Sequence, residues 1–125
     1  MILDCRIAIL DLMPIPRKSK RTEKSLPAFV SQQVVKSKRY FVDLLPDQTP
    51  ALSVACGGYE QVRKDYVVNR TDFPYFCIEF VCAGSGRVWL GECATTARVE
   101  DSLALHKGTI FAYGPGIPHR IETNS

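Results

Sequence analysis

The stretch that most constrains this chain is residues 75–82, YFCIEFVC. It contains no turn former and is dominated by aromatic and branched apolar side chains, so it reads as a strand buried on both faces. Ala83, Gly84, Ser85 and Gly86 follow, and RVWL at 87–90 opens a second strand, which implies a hairpin. Residues 109–113 form a third strand. It breaks at Gly114, Pro115 and Gly116, where the glycines can take positive φ and the proline cannot donate to a ladder. His119, Arg120, Ile121 and Glu122 resume the strand pattern and imply a second hairpin. A compact all-β core is expected between Arg70 and Arg120.

The remainder of the chain fits that core. Residues 1–12 suit a short strand or a helix equally, and Pro14 and Pro16 end them. Arg17, Lys18, Lys20, Arg21 and Lys24 then form a charge run without apolar periodicity, which reads as a solvated linker or disordered arm. Within 31–45 a helical face (Val34, Lys38, Phe41, Leu45) competes with strand alternation at Tyr40, Val42 and Leu44; an entry segment ending in a strand at 39–45 is favoured. Leu52, Val54 and Cys56 alternate like a strand that stops at Gly57 and Gly58, and 66–70 is another. Residues 94–100 read as a loop or irregular edge, and 103–105 as a short strand. Seven to nine short strands at hairpin spacing, with little helix, mean a sandwich or a barrel.

A chain of 125 residues holds one domain with one real core. Its net charge of +3 is unevenly distributed. Residues 1–40 carry nine Lys/Arg against three Asp/Glu, and residues 41–125 carry seven against ten. The basic character therefore lies in the leader, and the folded part has no basic footprint for nucleic acid. Residues 1–30 are read as an N-terminal extension, partly disordered, and 31–125 as the domain. Cys5, Cys56, Cys77, Cys82 and Cys93 make no CxxC pair. Cys77 and Cys82, five apart, point to opposite faces of a regular strand and cannot share a disulfide or a metal there. Reduced thiols in a cytoplasmic protein are expected. Asp4, Arg6 and Asp11 interrupt the apolar start, and no stretch reaches the roughly 18 residues of a membrane span.

The spacing around the two expected hairpins resembles the paired motifs of the cupins. Glu79 and Gly86 stand at the separation of the first motif, whose histidine positions are taken by residues from Asp72 to Tyr75; Gly108, Gly116 and His119 match the second, with the proline displaced to Pro115. The wording CGGYE at 56–60, NRTDFPYF at 69–76, EFVCAGSG at 79–86 and FAYGPGIPHRI at 111–121 is similar, more narrowly, to the N-terminal effector-binding domain of AraC-type transcriptional regulators. The resemblance covers roughly residues 31–125. It implies a cupin-type jelly-roll barrel, a small-molecule pocket that often takes a sugar, and a homodimer. It also implies DNA contact only through a C-terminal helix-turn-helix region, of which residues 1–125 hold no pattern. Since the family adds strands after the second motif, a barrel incomplete at the C-terminus is expected.

The residues say what such a core could hold. A catalytic cupin uses three histidines and a carboxylate around a divalent metal; only His119 and Glu79 stand at the matching positions, so no metal cofactor and no catalysis are expected. His106 sits at a turn and faces water. On the 75–82 strand, Tyr75, Cys77, Glu79 and Val81 share a mixed face suited to a polar ligand with an apolar side. Arg87, Trp89 and Gly91 share another, where an indole beside a cation suits stacking on a sugar or aromatic metabolite. Tyr113 and His119 flank the last turn, and Arg70 ends the preceding strand. The candidate ligand-binding residues are Arg70, Tyr75, Glu79, Trp89, Tyr113 and His119. Each has a plainer alternative: Trp89 as core, Tyr113 as a packed rim, Arg70 as a partner of Asp72, and His119 as a structural hydrogen bond. Besides an effector-sensing domain, two functions stay open, a small metal-dependent cupin enzyme (isomerase or dioxygenase) and a ligand-free dimerisation module.

Overall fold

A computed structural model describes residues 1–10, 27, 30–42 and 53–124, with residues 3–10 described by their backbone. The protein is all-β and antiparallel, with nine strands among the described residues: β1 (Ile2–Leu10), β2 (Val34–Phe41), β3 (Ser53–Val62), β4 (Val67–Arg70), β5 (Phe76–Ala83), β6 (Ser85–Leu90), β7 (Leu103–His106), β8 (Ile110–Tyr113) and β9 (His119–Thr123). Among the described residues helix is confined to one turn, α1 (Cys93–Thr96), and a 3-10 turn at Val99–Asp101. No helix among the described residues is long and apolar enough to cross a membrane.

The strands form two sheets, one in the order β2-β3-β1-β5-β8 and the other β4-β9-β6-β7. Their inner faces meet over Val62, Val68, Cys77, Val81, Val88, Leu105 and Ile121, all nearly or fully buried. Burial along β5 alternates: Cys77, Glu79 and Val81 are buried, whereas Phe76, Ile78 and Phe80 are half-buried. The expectation of a strand buried on both faces is thus corrected. The apolar run is continuous, but the second sheet covers only the inner face.

Neither expected hairpin forms. β5 is paired with β1 on one edge and β8 on the other, so both its ladders are occupied and β6 enters the opposite sheet. Gly84, at φ +81°, turns the chain out of the first sheet; a side chain there would meet the backbone of Met1 at 2.7 Å. In the same way β8 belongs to the first sheet while β9 pairs with β4 and β6 in the second. Glycine and proline punctuation marks corners between layers here.

Three further elements differ from their expected bounds. β3 runs through Gly57 and Gly58 to Val62. At Gly58 a Cβ would lie 2.0 Å from the Lys38 carbonyl oxygen, so glycine allows close cross-strand approach and does not stop the strand. The strand expected at 39–45 starts earlier, at Val34, and 43–45 lie outside the described residues. A domain boundary at residue 30 would leave β1 outside the domain; its backbone instead occupies the middle of the larger sheet, between β3 and β5. The charge run at 17–24 lies outside the described residues.

Candidate functional site

Two layer-crossing corners meet at one end of the sandwich. The first, residues 71–75, leads from β4 to β5; the second, 114–118, leads from β8 to β9. They are joined where the Gly116 amide donates to the Phe73 carbonyl at 2.9 Å. Gly116, at φ +71°, takes the left-handed conformation the second corner requires.

Polar side chains from both sheets converge beneath these corners. Glu79, on the inner face of β5, is completely buried. The Tyr113 hydroxyl, from the neighbouring β8, donates to its Oε1 at 2.7 Å, and the Cys77 thiol lies 3.8 Å from the same oxygen. His119 opens β9 in the opposite sheet and is also completely buried. Its imidazole stacks on the Tyr113 ring, with centroids 4.0 Å apart and planes 25° from parallel. His119 Nδ1 lies 3.0 Å from the Ile117 carbonyl, which can only accept, so Nδ1 carries the donating hydrogen.

Phe73, from the first corner, binds the group together. Its ring makes edge contacts with Tyr75 at 5.5 Å, Tyr113 at 6.0 Å and His119 at 6.0 Å, and the Arg70 guanidinium sits 5.4 Å from its centroid. Arg70 and His119 are also direct cross-strand partners between β4 and β9. Five of the six candidate residues, Arg70, Tyr75, Glu79, Tyr113 and His119, are therefore brought together. A carboxylate, a phenol, an imidazole and a guanidinium on one aromatic scaffold can recognise a small molecule carrying hydroxyls or charge.

Trp89 is placed elsewhere. Val88 and Leu90 face the core, so Trp89 points to the outer face of the second sheet. There it is 2% exposed, covered by the 91–102 segment, and its indole nitrogen donates to the Arg98 carbonyl at 2.7 Å. Its cationic neighbour is Arg120, 5.8 Å from the ring and opposite it in register, while Arg87 bonds the Ser102 hydroxyl at 3.0 Å. Alternation alone could have set Trp89 and Val88 on different faces, but it could not say which face is inner.

Phe73 stands in the sequence only among the residues at the first motif's histidine positions and is not one of the candidates. A second buried carboxylate lies on β3, Glu60. Glu60 is 6% exposed and ion-paired to Arg39 at 2.9 Å, with Arg39 also donating to the Ser31 carbonyl at 3.0 Å. His106 is exposed, as expected. Among the described residues no group of three His, Cys, Asp or Glu comes close enough to hold a metal ion, so the described donors do not fit the metal centre of a catalytic cupin. No family model, curated protein or solved structure matches the chain.

Proposed function

We propose that this chain is a small-molecule sensing domain of the AraC regulator type, built on a cupin-type jelly roll, with its effector bound at the Glu79, Tyr113 and His119 cluster. The observation that carries the reading is the convergence of buried polar groups from both sheets at one end of the sandwich. Burying such groups costs stability unless each is matched, and a hydrophobic core of this size does not require them. The jelly roll is supported by the way the chain passes from sheet to sheet at β3–β4, β4–β5, β5–β6, β7–β8 and β8–β9. An effector seated where β5, β8 and β9 meet would bias the corners that connect the layers. In this reading the domain works as a homodimer in the cytoplasm, and DNA is contacted through a helix-turn-helix region outside residues 1–125.

The test is thermal unfolding of the protein with a panel of pentoses and hexoses. A sugar that binds only the folded state adds about 2.7 kcal/mol at a hundredfold excess over Kd, a rise of several degrees in Tm. The rise should vanish in Glu79→Gln and survive in Trp89→Phe. A panel without any stabilising sugar, or a rise indifferent to Glu79→Gln, would sink the sugar-sensing reading.

A second reading, a ligand-free dimerisation module, is favoured by one observation. The Tyr113 and His119 rings are in stacking contact and leave no space between them. Here the cluster would be a polar clasp between the sheets. The same panel separates the two, because a clasp gives no sugar response while Glu79→Gln still lowers Tm.

A further inference from the structure

An open cleft lies on the outer face of the larger sheet, apart from the buried cluster. β2 and β3 pair there with Lys38 opposite Tyr59 and Tyr40 opposite Gly57. Directly paired residues share a face, as do residues two apart on one strand, so Lys38, Tyr40, Gly57 and Tyr59 all face outward. Glu60 and Val62, on the other parity of β3, are buried and fix the direction. Tyr40 and Tyr59 thus occupy a diagonal pair, at a separation of about 7–8 Å for such neighbours. Both phenol side chains line the same open cleft. Gly57 adds no side chain to the cleft; Val42 and Val54 line its apolar end, Val54 facing outward because the register shifts at the buried pair Ala55 and Cys56. The cavity measures about 300 Å³, enough for one fused-ring molecule.

Charge narrows the class. The Lys38 ammonium lies 5.5 Å from the Tyr40 ring centroid, and no carboxylate is among the described residues that line the cavity. Hydrogen bonding to the Tyr40 side chain raises the Lys38 pKa above its ordinary value, so the amine is cationic at neutral pH. Tyr40 is 55% exposed, so its ring is available for stacking. We propose that Lys38, Tyr40 and Tyr59 form a binding site for a planar aromatic anion, its ring between the tyrosines and its acid group on Lys38. This site does not depend on the sensing role of the buried cluster.

The experiment is a titration of the 15N-labelled protein with 1-naphthoate, followed by amide chemical shifts. Shifts should concentrate at 38–42 and 54–59 and saturate at millimolar ligand or below. Lys38→Met, which keeps an apolar stem on an exposed position, should weaken naphthoate several-fold and leave the uncharged 1-naphthalenemethanol unchanged. Tyr40→Ala should weaken both. Cyclohexanecarboxylate, charged but not planar, should bind much more weakly than naphthoate. Shifts centred elsewhere, equal binding of the planar and non-planar acids, or no saturation with naphthoate would each overturn the proposal.

Discussion

Glu79 and its phenolic donor are the pair on which a change of one atom tells most. Glu79 is fully buried and takes a 2.7 Å hydrogen bond from Tyr113. Tyr113→Phe removes that donor and keeps the ring that stacks on His119, so packing is preserved while a buried acceptor loses a partner. We expect a loss of about 1–3 kcal/mol in urea unfolding. In Glu79→Gln the same phenylalanine substitution should cost measurably less, because a neutral amide demands less of its donor. Equal costs in both backgrounds would mean that the hydroxyl does not act through Glu79. Trp89 gives the contrasting case. Its indole fills a separate apolar site under the 91–102 segment, so Trp89→Ala should cost about 3–5 kcal/mol. Chemical shifts of the Tyr113 and His119 rings should change little in that variant. Alternation along β5 made the shared face of Tyr75, Cys77, Glu79 and Val81 readable from sequence. The inner or outer sense of β6 was not, because an indole beside a cation suits a ligand platform and a covered surface equally well.

At the scale of the element, glycines decide where strands end, bend or press together, and residue type alone does not distinguish these uses. Gly57 and Gly58 suggest a stop, yet β3 continues across them, and at Gly58 the Lys38 carbonyl of β2 approaches too closely for a side chain. Gly84 and Gly116 suggest hairpin turns, yet they turn corners between sheets. The sequence marked the positions where the backbone needs freedom; the ladder partners, which lie far along the chain, determined what that freedom serves. Two alanine substitutions separate the effects. Gly91, at φ +75°, has open space around its missing Cβ, so Gly91→Ala should cost only the left-handed conformation, about 1–2 kcal/mol. Gly86 has no positive φ, but its Cβ would fall 2.3 Å from the Glu122 carbonyl oxygen on the paired strand β9. Gly86→Ala should therefore push β9 away, cost at least as much as an overpacked core at about 1–3 kcal/mol, and speed amide exchange across His119–Thr123. Faster exchange in Gly91→Ala than in Gly86→Ala would contradict this ordering.

For the whole molecule, the consequential strand is the one whose type the sequence left open. Residues 1–12 suited strand or helix equally, since Asp4, Arg6 and Asp11 blur the apolar period, and the basic run after them favoured an extension. Backbone pairing resolves it: Ile2–Leu10 runs antiparallel to β3 on one side and β5 on the other, and the Met1 carbonyl accepts from the Val62 amide at 3.0 Å. Removing this strand would not trim an edge. It would divide the larger sheet into β2–β3 and β5–β8, each a two-stranded piece, and pairs of that kind are marginal in water on their own. It would also expose ladder groups on both β3 and β5, and unpaired backbone of that kind is costly when buried and sticky when exposed. A chain starting at Ser31 should therefore lose its cooperative unfolding transition and its amide dispersion, and a peptide of residues 1–12 should restore part of both. Because β5 carries Glu79, the same truncation should abolish any sugar response, and the peptide should recover that response together with the fold. A Ser31 chain that unfolds cooperatively at the Tm of the full chain would show instead that the domain closes without β1, and that the boundary at residue 30 is the physical one.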